Sequence, residues 1–175
     1  SSAASDVYKR QEQEPRLSQD DQALTQFAQL GSFAEMMLVH EHAVVKIRDD
    51  MPMAQAALIG CGVTTGVGAV IHTARVEAGS TVAVIGCGGI GLSAINGAAI
   101  AGASRIIAVD MVASKLDLAR KFGATDVVDA SSGDAVAEVI EMTGGGVHYS
   151  FEAIGLKATA EPVSYTHLRA HETVS

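Results

Sequence analysis

Hydrophobic and polar positions follow two different regimes along this chain. From Gly79 onward, short β-branched runs alternate with helical stretches. Thr81-Val82-Ala83-Val84-Ile85 and Arg105-Ile106-Ile107-Ala108-Val109-Asp110 are nearly unbroken apolar runs, the signature of strands buried on both faces. Thr125 to Asp129 and Val147 to Glu152 predict two further strands. Between them lie a glycine-opened helix over 86–103, a helix over 114–122 and a helix over 134–142. Ser114 is expected to cap the second of these helices, and Gly123 to end it. Such alternation predicts parallel βαβ units and an α/β, doubly wound sheet.

Upstream the pattern is less regular. Glu12 to Gln29 is polar and supports no assignment. Residues 32–39 and 44–47 read as strands. Asp49-Asp50-Met51-Pro52 is a stop followed by a helix start, since proline is tolerated in a first helical turn. Met53 to Ile59 is expected to be a short helix, broken by Gly60-Cys61-Gly62. A second helix is expected over 64–74, with Val67, Val70 and Ile71 on one face.

The two ends change the picture. Asp6-Val7-Tyr8-Lys9-Arg10-Gln11 can be spelled GAT GTG TAT AAG AGA CAG. Its reverse complement, entered two bases in, encodes Val-Ser-Tyr-Thr-His, the residues at 163–167. Protein segments have no physical reason to be reverse complements, whereas DNA with inverted ends does. The spelling resembles a sequencing-library transposase adaptor, so residues 1–11 and 163–175 are read as adaptor-derived and set aside. His167 and His171 are set aside with them as metal candidates. The expected organisation is 12–78 as the end of one domain with connecting helices, and 79–162 as a partial nucleotide-binding domain.

Composition then narrows the function. The chain carries 12 Lys+Arg against 20 Asp+Glu. Setting aside Lys9, Arg10, Arg169, Asp6 and Glu172 leaves 9 against 18. That balance argues against a nucleic-acid partner, which needs clustered cations. The apolar runs read as too short and interrupted to cross a membrane. Two cysteines, Cys61 and Cys87, make no disulfide framework and fit a reducing, cytoplasmic setting.

Gly86-Cys87-Gly88-Gly89-Ile90-Gly91 carries the chemistry. It follows a strand, opens a helix, and precedes a strand ending in Asp110, 19 residues after Gly91. Gly86 allows a tight turn, Gly88 a close backbone approach to a pyrophosphate, and Gly91 close helix–strand packing. The helix N-terminus favours the phosphate charge. Asp110 can accept hydrogen bonds from ribose hydroxyls and would repel a 2′-phosphate, which predicts NAD over NADP. A glycine-rich turn without a ligand is the plainer alternative. Cys61, taken on spacing alone, is a small buried hydrophobe, and Cys87 is a filler in the glycine motif.

Three stretches together resemble a family: Ile59 to Gly66, Val76 to Val84, and the glycine motif. Ala103 to Asp110 and Gly146 to Gly155 continue the likeness. The family is the zinc-dependent alcohol dehydrogenases of the medium-chain superfamily, above all the class III, glutathione-dependent formaldehyde dehydrogenase type. The resemblance implies a partial Rossmann sheet preceded by the tail of a GroES-like catalytic domain. It implies Cys61 as one ligand of a catalytic zinc, Thr65 beside the nicotinamide, and Gly86, Gly88, Gly89, Ile90 and Gly91 around the pyrophosphate. It further implies Asp110 and Lys115 at the adenosine ribose, and Ala153 and Ile154 at the nicotinamide end. NAD and Zn²⁺ are the implied cofactors. The implied substrate is a small primary alcohol or thiol adduct of formaldehyde, and the implied assembly a homodimer or homotetramer.

The family's remaining zinc ligands, proton relay and four-cysteine zinc lobe are not in this sequence. His40 and His42 fall at a turn without ligands, and His72 and His148 read as surface or packing residues. The polypeptide as written is expected to be catalytically silent. Other readings are a nucleotide-binding module of a zinc-free reductase and a polyol dehydrogenase.

Overall fold

The computed structural model describes residues 17–24 and 35–155, and the chain divides into two units, Ser1–Met51 and Pro52–Ser175. In the first unit, the stretch the pattern leaves unassigned contains a hairpin. Strands β1 (Leu17–Gln19) and β2 (Gln22–Leu24) pair antiparallel. Asp20 and Asp21 turn the chain with φ of 49° and 60°. Positive φ at both central residues is the type I′ turn, whose twist suits a two-residue hairpin.

The strands expected over 32–39 and 44–47 are not found. Residues 32–34 lie outside the described residues, and 35–39 and 44–47 form no strand. A single 3₁₀ turn, Glu41–Ala43, separates them, with the His42 N–H donating to His40 Nδ1 at 3.2 Å. Strand propensity expresses packing on a pleated, half-buried surface. Met36, Leu38 and Val45 are instead about nine-tenths exposed, so the surface that would make them strands is not present among the described residues.

The second unit opens with α1 (Met53–Thr73), a continuous 21-residue helix. Pro52 stands at its N-cap, its carbonyl accepting from the Gln55 and Ala56 amides at 3.1 and 3.0 Å. The expected break at Gly60-Cys61-Gly62 is absent. Residues Ile59–Val63 widen into a π turn, in which the Thr64 amide bonds back to Ile59. The Thr64 hydroxyl donates to the same carbonyl at 2.5 Å. Glycine in a helix costs about 1 kcal/mol relative to alanine, a weakening that packing and added hydrogen bonds offset. A second π turn, Ala69–Thr73, ends the helix, and Arg75 leaves it at φ 51°. By length and composition α1 could cross a bilayer, although its sequence reads as interrupted runs. Its Gly66 and Val70 are buried within the second unit.

A parallel sheet follows: β3 (Thr81–Ile85), β4 (Arg105–Asp110), β5 (Asp126–Asp129) and β6 (Tyr149–Glu152), in the order β5-β4-β3-β6. Helices α2 (Gly89–Ile100), α3 (Ala113–Phe122) and α4 (Ala135–Thr143) connect the strands. Strand alternation divides the core. Val82, Val84, Ile106 and Ala108 pack with Val70 of α1, Ala94, Ile95 and Ala98 of α2, and Leu116 and Ala119 of α3. Ala83, Ile107, Val109 and Val128 pack with Val139 of α4 and Val147. Helices therefore cover both faces, as a doubly wound sheet requires.

Ser114 does not cap α3. Val112 holds that place without a side-chain cap, and its amide donates to Asp110 Oδ1 at 3.0 Å. The strand-end carboxylate thus holds the residue from which the helix starts, while no side chain caps the first-turn amides. Gly123 ends α3 with φ 116° as expected, and Asp134 caps α4 through its Oδ1. At the opposite end of the sheet, Arg105 grips Asp126 with two 3.0 Å bonds and also donates to the Met142 carbonyl. The guanidinium holds the Asp126 carboxyl below its ordinary value. His148 lies there too, and its Nδ1 accepts from the Thr81 amide at 3.0 Å, so this histidine pins β6 to β3.

Candidate functional site

Strand order places the site. β3 and β6 are neighbours, but they stand first and fourth among the parallel strands, so their connections leave in opposite directions. A crevice opens at their carboxyl ends at such a switch point, and ligands of open α/β sheets bind there. Gly86 follows β3 directly, and Ala153 and Ile154 follow β6.

Steric crowding explains the glycines at two positions. Gly86 has φ 98°, and a Cβ on it would lie 2.6 Å from Ile154 Cγ1 and 3.1 Å from the Ala153 carbonyl carbon. A Cβ on Gly91 would fall 1.7 Å from the Gly86 carbonyl oxygen. The turn therefore closes on itself and on the β6 loop, bringing Gly86, Gly91, Ala153 and Ile154 together. Gly88 and Gly89 are different: both are exposed, and a Cβ on either would meet nothing within 4 Å. That open side lies at the N-terminus of α2, where the first amides have no intrahelical acceptor. An anion approaching there meets donors and the positive end of the helix dipole.

Asp110 is buried at the end of β4, 8% exposed. Its Oδ2 accepts the Cys87 amide at 2.8 Å, while Oδ1 accepts the Val112 amide. The Lys115 ammonium stands 3.9 Å from Oδ2. One carboxylate thus braces the glycine turn, holds the residue ahead of α3 and faces a cation. Sequence reasoning assigned Asp110 to a ligand and missed the brace; the only signal for it was a single acid following an apolar strand. Each carboxylate oxygen keeps capacity for a further donor. Cys87 is 1% exposed beneath the turn. Burial pushes its thiol up to about 11, the Asp110 carboxylate adds to the rise, and Lys115 opposes it.

Glu152 is a second residue that sequence reasoning missed. Its carboxylate accepts the Ile154 amide at 2.9 Å and the Gly155 amide at 3.0 Å. It folds the β6 loop back toward Gly86, and only its position just before Ala153 hinted at this.

Thr65 and Cys61 are both exposed on α1. Cys61 is a free thiol, contrary to the buried filler expected from spacing alone. Among the described residues no group of three or more His, Cys, Asp or Glu is placed to hold a metal. A catalytic zinc takes three protein ligands, so the described residues alone do not make that site. The donor set at the glycine turn does fit a dinucleotide.

Glycine turn, helix N-terminus and bracing acid at a switch point define a Rossmann dinucleotide-binding module. Residues 89–174 match the zinc-binding dehydrogenase family. The chain is 50% identical over 141 residues to the probable S-(hydroxymethyl)glutathione dehydrogenase 1 of Schizosaccharomyces pombe, covering 80% of this chain and 37% of that protein. It is 43% identical over 142 residues to the class-3 alcohol dehydrogenase of Oryza sativa subsp. japonica, with the same two shares. The crystal structure of benzyl alcohol dehydrogenase from Acinetobacter calcoaceticus superposes with a TM-score of 0.67 at 39% identity, over 70% of this chain and 34% of that one. The matched part, about half of the chain, is a zinc-binding dehydrogenase domain of the medium-chain dehydrogenase/reductase superfamily. It spans a little over a third of the length of the curated relatives it matches.

Proposed function

We propose that this chain supplies the cofactor-binding part of an NAD- and zinc-dependent alcohol dehydrogenase acting on a primary alcohol or an S-hydroxymethyl thiol adduct. The observation that carries this reading is the Asp110 carboxylate, buried and bonded to the Cys87 amide of a crowded glycine turn. The amides at Gly88 to Gly91 bind the pyrophosphate. Asp110 accepts the adenosine-ribose hydroxyls, assisted by Lys115, and its charge excludes a 2′-phosphate. Thr65, Ala153 and Ile154 orient the nicotinamide and keep water from it. NAD, when bound, accepts the hydride, while the protein supplies orientation and electrostatics. Cys61 supplies one zinc ligand, with the others outside the described residues. A cytoplasmic homo-oligomer completes the reading.

Titrating the complete enzyme with NADH and NADPH, followed by cofactor fluorescence, tests this. NADH is expected to bind at least about tenfold tighter, since a like-charge contact costs more than about 1.4 kcal/mol. Equal affinities would overturn the assignment of Asp110. The 175-residue chain by itself is expected to aggregate, because Leu38, Met53 and Leu58 are more than half exposed, and to oxidise no alcohol, because one thiolate cannot hold a catalytic zinc. A monomeric elution profile with zinc-dependent turnover would contradict that.

A further inference from the structure

We propose that Gly66 is a positioning residue for hydride transfer: its missing side chain seats α1 directly on the glycine turn and so sets where Thr65 and Cys61 stand relative to the nicotinamide. The inference rests on the function proposed above. Gly66 is buried within Thr64–Gly68, the short regular stretch between the two π turns of α1. A Cβ there would lie 2.4 Å from the Ile90 carbonyl oxygen, 2.5 Å from Ser93 Cβ and 2.8 Å from the Ala94 nitrogen. Two of these atoms are backbone and cannot swing aside. The third is held as well, because the Ser93 hydroxyl donates to the Gly89 carbonyl at 2.7 Å.

The contact therefore joins α1 to Ile90, a member of the glycine turn itself. Further along the same crossing, a Cβ on Gly97 would come 3.2 Å from Val67 Cα and 3.3 Å from Val70 Cβ. The two helices are held at two points by the absence of side chains. Thr65 adjoins Gly66 in sequence, and Cys61 stands one widened turn earlier. Any separation of α1 from α2 moves both residues relative to Ile90. Relieving a 2.4 Å contact to ordinary van der Waals distance takes a shift of roughly 1 Å. Misplacement of that size can cost on the order of a hundredfold in rate without touching the chemistry.

The test is Gly66→Ala and Gly97→Ala in the complete enzyme, with steady-state kinetics, ADP-ribose affinity and the isotope effect on a deuterated alcohol. Gly66→Ala is expected to lower kcat about 10- to 100-fold, with ADP-ribose affinity within about twofold and an increased isotope effect. Gly97→Ala, which requires a shift of only a few tenths of an ångström, is expected to lower kcat by about two- to fivefold in the same manner. A merely structural role would lower thermal stability and ADP-ribose affinity together and leave the isotope effect unchanged; that result overturns the proposal. If Gly66→Ala yields no folded protein, Gly97→Ala decides by the same criteria, and an unchanged kcat overturns it. A parent enzyme that binds no ADP-ribose sinks the functional reading and this inference together. A parent enzyme that turns over normally beside an unimpaired Gly66→Ala variant sinks this inference alone.

Discussion

The tripeptide Gly-Cys-Gly occurs twice in this chain, at 60–62 and at 86–88, with opposite results. The first copy stays inside α1 as a π turn, with its cysteine exposed and open space at both glycines. The second leaves β3 at φ 98°, buries its cysteine and crowds Gly86 against the β6 loop. Composition cannot account for the difference. The first copy follows good helix formers, Met53 to Leu58, whose cooperative hydrogen bonds carry the glycines along. The second follows a buried strand, and Asp110 reaches its central amide from the neighbouring strand. Glycine gives permission for a turn; a partner at long sequence separation exercises it.

The contrast can be broken most severely at Gly91, whose Cβ would overlap the Gly86 carbonyl. Gly91→Ala is expected to cost at least about 3 kcal/mol, since the added Cβ meets a backbone oxygen and no rotamer relieves the clash. Denaturant unfolding measures this, and a loss below about 1 kcal/mol would show that the turn is looser than described.

The two thiols offer the next test. Cys61 is expected to react with an alkylating reagent at the native-state rate of a free surface thiol, and Cys87 at least about a hundredfold more slowly. The raised Cys87 value also has a sign. Between the ordinary thiol value near 9 and the folded value of about 11, the unfolded chain loses its proton first. Stability from this group is therefore complete below pH 9 and declines as pH rises toward 11, by up to roughly 3 kcal/mol. A Cys87→Ala variant should lack this alkaline decline, and an identical pH profile in both proteins would contradict the burial argument.

Asp110→Asn sharpens the comparison from the partner's side. It keeps the shape but replaces a charged acceptor by a neutral one, at a cost of about 1–2 kcal/mol in stability. The NADH preference over NADPH should shrink by about tenfold or more. A stability change without a change in cofactor preference would leave Asp110 as a brace alone. The smallest effect belongs to Gly60→Ala. With nothing within 4 Å of the added methyl, it is expected to be neutral or to stabilise by up to about 1 kcal/mol.

Much of the sheet was legible in the sequence because its signals are local. The β-branched runs of β3 and β4 end where the pattern ends them, and Gly123 stops α3 where expected. The glycine turn was legible because four elements stand in order around it. What escaped depends on contacts across space. No run of residues announces that Asp110 holds the Val112 amide just ahead of α3, or that Glu152 ties its own loop. The strands expected over 32–39 and 44–47 failed for the converse reason: their pattern asks for a surface that the described residues do not provide.

The π turn at Ile59–Val63 has a consequence for insertions and deletions. A π turn is an α-helix that has accepted one residue more than its pitch allows. Removing one residue there would let the helix close to regular geometry while Met53–Leu58 keeps nearly its place around the axis relative to Gly66. The same deletion within a regular helical stretch would turn the flanking segment by about 100°. The widened turn can therefore absorb the loss of a residue as well as an exchange of glycine for alanine. What such a loss changes is the place of Cys61, which sits inside the turn.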